Sequence, residues 1–190
     1  MAYSLKHILN VPNTITLARI LMTPVIVFFI LEKNIMPALG LMIIASITDM
    51  LDGLVARYYN MRTTVGSYLD PLADKLMLIA VFVSLFIVDH VPLYLFLAVI
   101  FRDIVIVIGA ITYELMTHSL KMEPTYISKA TTLAQMIYVV VVLVSMITSL
   151  HALWLHAIAW LTFALTCTSG IHYLVSWTQK AIRNEQKEHD

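Results

Sequence analysis

The sequence predicts an all-α, polytopic integral membrane protein with six transmembrane helices behind a short N-terminal interfacial helix, and three observations carry that prediction. Of its 190 residues, 60% are hydrophobic and 13% charged, against about 25% charged in a soluble globular domain. The apolar residues fall into long runs, at about 14 to 32, 36 to 57, 69 to 88, 92 to 116, 127 to 149 and 153 to 177. A bilayer core about 30 Å thick needs roughly 20 such residues per crossing. The breaks between runs are short: Glu32 to Asn34, Tyr58 to Ser67, Asp89 to Pro92, Thr117 to Tyr126 and His151 to His156. They leave no room for a second domain, so the chain reads as one domain over 1–190, with a surface helix at 1–12, a bundle at 13–178 and a tail at 179–190.

Taken in order, Met1 to Asn10 carries Lys6 and His7 and lacks the short apolar core and small-residue cleavage site of a removed signal peptide. It reads as a helix on the membrane surface, ended by Pro12 and Asn13. The six runs follow, and the tail from Arg183 to Asp190 reads as a solvated helix end. Orientation comes from the basic residues, which are retained on the cytoplasmic side when they lie in short loops. With the N-terminus inside, Lys6, Arg57, Arg62, Lys75, Lys121, Lys129, Lys180, Arg183 and Lys187 fall on or near that side and Lys33 stands alone outside. Both termini are therefore expected in the cytoplasm. Twelve basic and twelve acidic side chains cancel, which argues against a nucleic-acid partner held through phosphate neutralisation. The single cysteine, Cys167, excludes an intrachain disulfide and a cysteine-based metal cluster.

Chemistry concentrates between Asp49 and Lys75, where four carboxylates stand at the cytoplasmic ends of the second and third helices. An aspartate at the centre of a spanning helix costs about 2.5 to 3.5 kcal/mol, so all four are expected to face protein, water or metal rather than lipid. Asp49 and Asp52 are spaced i,i+3, and Asp70 and Asp74 i,i+4, which puts each pair on one helical face. Four carboxylates brought together repel unless counter-charge is supplied, and hard oxygen ligands without His or Cys select magnesium, manganese or calcium over zinc. Gly53 leaves room beside Asp52, Ala56 keeps the Asp49 face uncrowded, and Arg57 offers a fork of donors to a phosphate. The crossing from Tyr58 to Ser67 adds Arg62, Thr63, Thr64 and Gly66, which suit phosphate, ribose or base contacts. Pro71 makes Asp70 either an N-cap or a residue in the first turns of a helix begun near Thr64.

The whole pattern is Asp-x-x-Asp-Gly-x-x-Ala-Arg, eight residues, then Gly-x-x-x-Asp-x-x-x-Asp, on Asp49, Asp52, Gly53, Ala56, Arg57, Gly66, Asp70 and Asp74. It resembles the signature of the CDP-alcohol phosphatidyltransferase family with no departure, and the resemblance extends over nearly the whole chain. It implies a metal-dependent transferase with six spanning helices, in which two divalent cations, Mg2+ or Mn2+, grip the diphosphate of CDP-diacylglycerol. Asp49, Asp52 and Asp70 are then ligands, and Asp74, also near the metals, takes the proton from the acceptor hydroxyl. The donor lipid would lie on Asp52, Gly53, Ala56, Arg57, Arg62, Thr63 and Gly66. A homodimer, and a bacterial inner membrane or its mitochondrial equivalent, are implied in the same way.

The acceptor is read outside the signature. Its candidates are Lys75, the Arg102-Asp103 pair inside the fourth run, and Lys121 and Lys129 in the loop LKMEPTYISK. A neighbouring Arg-Asp pair serves equally as a mutually neutralised structural feature, and the two lysines equally as topology determinants. NVPNTITLARI, FRDIVIVIGA and KMEPTYISKATTLAQ look like the CMP-forming cardiolipin synthases, whose acceptor is phosphatidylglycerol. Relatives that use glycerol 3-phosphate share the start and a pattern like that from Ser128 to Gln135, but commonly carry a second arginine after the fourth-helix pair. Here Ile104 to Ile111 holds only aliphatic residues and Gly109, which suits a lipid acceptor better than a phosphate dianion. A cation or proton transporter also holds intramembrane acids, though usually near the midplane on broken helices.

Overall fold

The computed structural model describes the backbone of residues 11–58, 64–117, 126–148 and 150–188, and the side chains of 16–48, 73–109, 126–148 and 150–176. Among the described residues there are six α-helices and no strand: α1 (Val11–Leu31), α2 (Ile35–Tyr58), α3 (Thr64–Ile87), α4 (Leu93–Thr117), α5 (Tyr126–Ile147) and α6 (Ala152–Glu188). Six runs thus become six helices, with two corrections at their ends. Pro12 and Asn13, expected to close a surface helix, stand instead in the first turn of α1. Proline is at home there, because its missing amide belongs to a group with no intrahelical partner. The third helix begins five residues before its apolar run, at Thr64, so Asp70 lies within α3 rather than capping it. Residues 1–10, read as the interfacial helix, lie outside the described residues.

Two compact units divide the chain. One holds α1 to α3 with the end of α5 from Val142; the other holds α4, α5 as far as Val141, and α6. In the first, α1 packs on both α2 and α3. It does so through Thr16, Arg19, Thr23, Ile26 and Ile30, a stripe stepping three and four residues at a time, which faces matching stripes at Ala38, Met42 and Ala45 on α2 and Ala73, Met77 and Val81 on α3. In the second, α4 packs on α6, and α6 buries Ala159, Thr162, Thr166 and Ser169 at the same helical spacing. Small side chains of this kind let helix backbones approach closely in a membrane.

The distribution of polarity is inverted relative to a soluble protein. Arg19, Arg102, Asp103 and Gln135 are buried, whereas Leu21, Phe28, Met36, Phe101, Leu153 and Ile171 are each more than half exposed. In water such a surface aggregates; in hydrocarbon it is the expected exterior. Among the described residues, two helical segments, Tyr126–Ile147 and Ala152–Ser176, are long and apolar enough to cross a membrane. Thr16–Leu31 and Ile35–Thr48 are shorter apolar stretches of the same kind.

Two helices end on residues with positive φ, Lys33 at 58° after α1 and Asp89 at 62° after α3. In each case amide bonds close the turn: Asn34 N to Phe29 O at 2.9 Å and Lys33 N to Ile30 O at 3.0 Å, and His90 N to Leu85 O at 2.9 Å and Asp89 N to Phe86 O at 3.1 Å. This is the Schellman arrangement, which favours glycine at the left-handed position. Lysine pays a steric penalty there of about 1 kcal/mol. Lys33→Gly is therefore expected to raise the thermal midpoint of the detergent-solubilised protein, and Lys33→Val to lower it; the reverse order would show that the turn is not strained.

Candidate active site

The four signature aspartates sit on two helices of the first unit. Asp49 and Asp52 both lie within α2, and Asp70 and Asp74 both within α3, so the i,i+3 and i,i+4 intervals are helical ones. Gly53, Ala56 and Arg57 continue α2, and Gly66 lies in the first turn of α3. The side chains of 49–72 lie outside the described residues, as do Arg62, Thr63 and Lys121 altogether.

Asp74 is the signature carboxylate whose surroundings are visible. It follows Ala73, which is buried against α1, and stands at the margin of that interface with its side chain 50% exposed. Arg19 of α1 reaches it from within, one guanidinium nitrogen donating to Asp74 Oδ1. Arg19 itself is 2% exposed. Behind it, Thr23 Oγ1 donates to the Arg19 carbonyl at 2.9 Å. A half-exposed carboxylate held at one oxygen by a fixed cation can accept a proton or ligate a hard metal ion. Among the described residues no group of three or more His, Cys, Asp or Glu gathers to hold a metal, and three of the four predicted ligands fall outside that set. The chemistry of a four-carboxylate donor set at helical spacing fits a hard divalent cation.

A second polar cluster lies in the other unit, around Arg102 of α4. Its Nη1 donates to Asp103 Oδ1 at 2.6 Å, its Nη2 to Ser128 Oγ of α5 at 2.6 Å, and Nε and Nη2 both reach Ser169 Oγ of α6 at 3.4 Å. Arg102 and Asp103 are 2% and 5% exposed. Gly170 of α6 lies beneath the arginine stem, so that a Cβ there would meet Arg102 Cγ at 3.9 Å. The cluster continues away from Arg102: Thr131 Oγ1 donates to Leu165 O at 3.1 Å, and Gln135 Nε2 to Thr166 Oγ1 at 3.3 Å. Three helices are thus tied by side-chain hydrogen bonds, each strengthened where water is scarce. Of the remaining acceptor-side candidates, Lys75 is half-buried and Lys129 exposed, its Nζ 5.8 Å from the Tyr126 ring centroid.

Sequence reasoning missed Arg19, Ser169 and Thr166 as site-forming residues. The available signal for Arg19 was its presence in an apolar run, where a charged residue is functional by default hypothesis. For α6 it was the spacing of Thr162, Thr166 and Ser169.

Comparison with known proteins bears on this arrangement. A family model described as CDP-alcohol phosphatidyltransferase matches residues 9–168, a span that holds the four signature aspartates, Arg19, Arg102, Asp103 and Ser128 and stops one residue short of Ser169. A cardiolipin synthase (CMP-forming) from Homo sapiens is 34% identical over 146 residues, 68% of this chain and 48% of that protein. The Rattus norvegicus protein of the same name is 29% identical over 92% of this chain and 63% of its own length. A CDP-diacylglycerol–glycerol-3-phosphate 3-phosphatidyltransferase from Aquifex aeolicus is 33% identical over 92% of this chain and 96% of its own. The chain thus spans about half the length of the human relative and nearly all of the Aquifex one.

Proposed function

The chain belongs to the CDP-alcohol phosphatidyltransferase family, and from that premise we propose that it transfers the phosphatidyl group of CDP-diacylglycerol to the hydroxyl of phosphatidylglycerol, forming cardiolipin and releasing CMP. In this reading all six helices cross the membrane, both termini and the carboxylates face the cytoplasm or matrix, and two copies form a homodimer. The membrane is a bacterial inner membrane or its mitochondrial counterpart.

Asp49, Asp52, Asp70 and Asp74 would hold two divalent cations, which when bound neutralise the diphosphate oxygens and the developing charge on CMP. Arg57 and Arg62 add donors for the phosphates and Thr63 for the nucleoside, while Gly53, Ala56 and Gly66 leave space for them. Asp74 accepts the proton of the acceptor hydroxyl as its oxygen attacks the phosphorus that bears the diacylglycerol. One P–O bond forms to the acceptor, the P–O bond to CMP breaks, and no phosphoenzyme intervenes. Trapping a phosphorylated aspartate with donor alone contradicts that order of events.

The observation that favours a lipid acceptor is the electrostatic balance of the Arg102 cluster. Every donor group of Arg102 is directed at Asp103, Ser128 or Ser169, and Ile104 to Gly109 brings no further cation to α4. A phosphate monoester dianion is usually met by surplus cationic donors, whereas the phosphodiester of phosphatidylglycerol asks for fewer. In this scheme Arg102 and Asp103 take part in acceptor binding, and Lys75, Lys121 and Lys129 are further candidates for that role. The second reading, with glycerol 3-phosphate as acceptor, is favoured by the nearly full-length match to the Aquifex protein. Purified protein supplied with CDP-diacylglycerol, Mg2+ or Mn2+ and one acceptor at a time separates them: cardiolipin is the expected product, and a product formed only from glycerol 3-phosphate refutes the choice.

A further inference from the structure

We propose that Arg19 is a positioning residue for transfer, holding the Asp74 carboxylate from inside the α1–α3 interface in the orientation from which it receives the acceptor proton. This rests on the role given to Asp74 above and adds a residue for which the signature has no place.

The argument begins with the cost of burying Arg19. A guanidinium 2% exposed in the middle of an apolar helix is expensive, and Arg19 lies on no loop where it would set topology. It occupies the same stripe as Thr16, Thr23, Ile26 and Ile30, so an aliphatic residue there would extend the packing between α1 and α3.

What the charge does is read by contrast with another ion pair among the described residues, Arg102–Asp103. Arg102 and Asp103 are both buried, with side chains 2% and 7% exposed. The Arg19–Asp74 pair is lopsided, 2% against 50%. Its cation is sealed in the bundle and its anion stands at the rim. Such a pair brings the carboxylate to a fixed place while leaving half the side chain accessible.

Burial supplies the rest. Arg19 is already immobilised by its packing against α3, so holding Asp74 costs little further side-chain entropy, and the planar fork of the guanidinium fixes the direction of the bond as an ammonium does not. Misplacing a reacting group by about 1 Å can cost on the order of a hundredfold in rate. Since Asp74 sits one turn beyond Asp70 on α3, its rotamer decides whether the carboxylate faces the other signature residues or turns away.

The test uses the full-length protein, purified and reconstituted, with CMP release measured while donor and acceptor are varied separately. Arg19→Gln is expected to lower kcat at least about tenfold with KM for CDP-diacylglycerol held within about twofold, because only the step that needs Asp74 is impaired. Arg19→Lys keeps the charge but loses the fork, and its kcat should fall about two- to fivefold, again without change in KM. That variant preserves most of the packing, so it reports even where Arg19→Gln fails to fold. Combined with Asp74→Asn, Arg19→Gln should lower the residual rate no further, since residues that act through one another are not additive. Wild-type kcat in either single variant, a loss confined to KM, or additive losses in the double variant would each overturn the assignment. Failure of the wild type to release CMP is a separate result: it removes the transferase reading, and the role of Arg19 with it.

Discussion

Asp49→Asn and Asp70→Asn each abolish CMP release from CDP-diacylglycerol, a loss expected to be at least about a thousandfold in kcat. The substitution keeps size and shape and removes one charge and one ligating oxygen, so its effect isolates the electrostatics. In the proposed site four carboxylates gathered from α2 and α3 would repel one another, and bound cations would make their proximity favourable. Stability should therefore move opposite to activity. In chelator, neutralising one of four like charges leaves the melting midpoint unchanged or raised. In Mn2+, wild-type protein gains about 2.7 kcal/mol when the metal stands at a hundred times its dissociation constant, and the variants gain much less. Melting curves with and without Mn2+, beside the activity assay, read both signs at once. A variant that stays active, or that keeps the full metal-induced shift, would show that these aspartates are not ligands.

How much of this was legible in the sequence depends on the distance over which a residue acts. The six helices were legible because an apolar run and a short polar break are local properties, and the helical spacing of Asp49 with Asp52 and of Asp70 with Asp74 follows from counting. The start of α3 was not: Thr64 to Asp70 is polar and Gly-containing, so hydropathy placed the boundary at about 69 while the helix begins at Thr64. Pro12 was misread for a related reason, since proline breaks a helix interior but suits its first turn. Arg102 and Asp103 announced themselves by adjacency. Their partners Ser128 and Ser169, 26 and 67 residues away, carry no mark of it in sequence. Arg19 shows the limit most clearly, because its partner Asp74 is 55 residues off and neither residue's neighbours point to the other.

Breaking the Arg102–Asp103 pair is the second large effect. Asp103→Asn removes the carboxylate charge beside the buried Arg102 guanidinium, and Arg102→Met removes the guanidinium donor from the buried Asp103. Removing one member of a buried pair costs about 3 to 5 kcal/mol, so both variants should melt well below wild type, whether or not the cluster touches substrate. Replacing both members together, as Arg102→Met with Asp103→Leu, removes the uncompensated charge and should recover most of that stability, since apolar residues of similar volume often serve as well as a buried pair. Activity then separates the two readings of the cluster. If Arg102 and Asp103 only tie α4 to α5 and α6, the recovered double variant transfers the phosphatidyl group at a rate near wild type. If they grip the acceptor, it folds yet shows a KM for phosphatidylglycerol raised at least about tenfold, with the KM for CDP-diacylglycerol unchanged. The proposed acceptor role predicts the second result, and a stable, fully active double variant would confine the cluster to holding helices together.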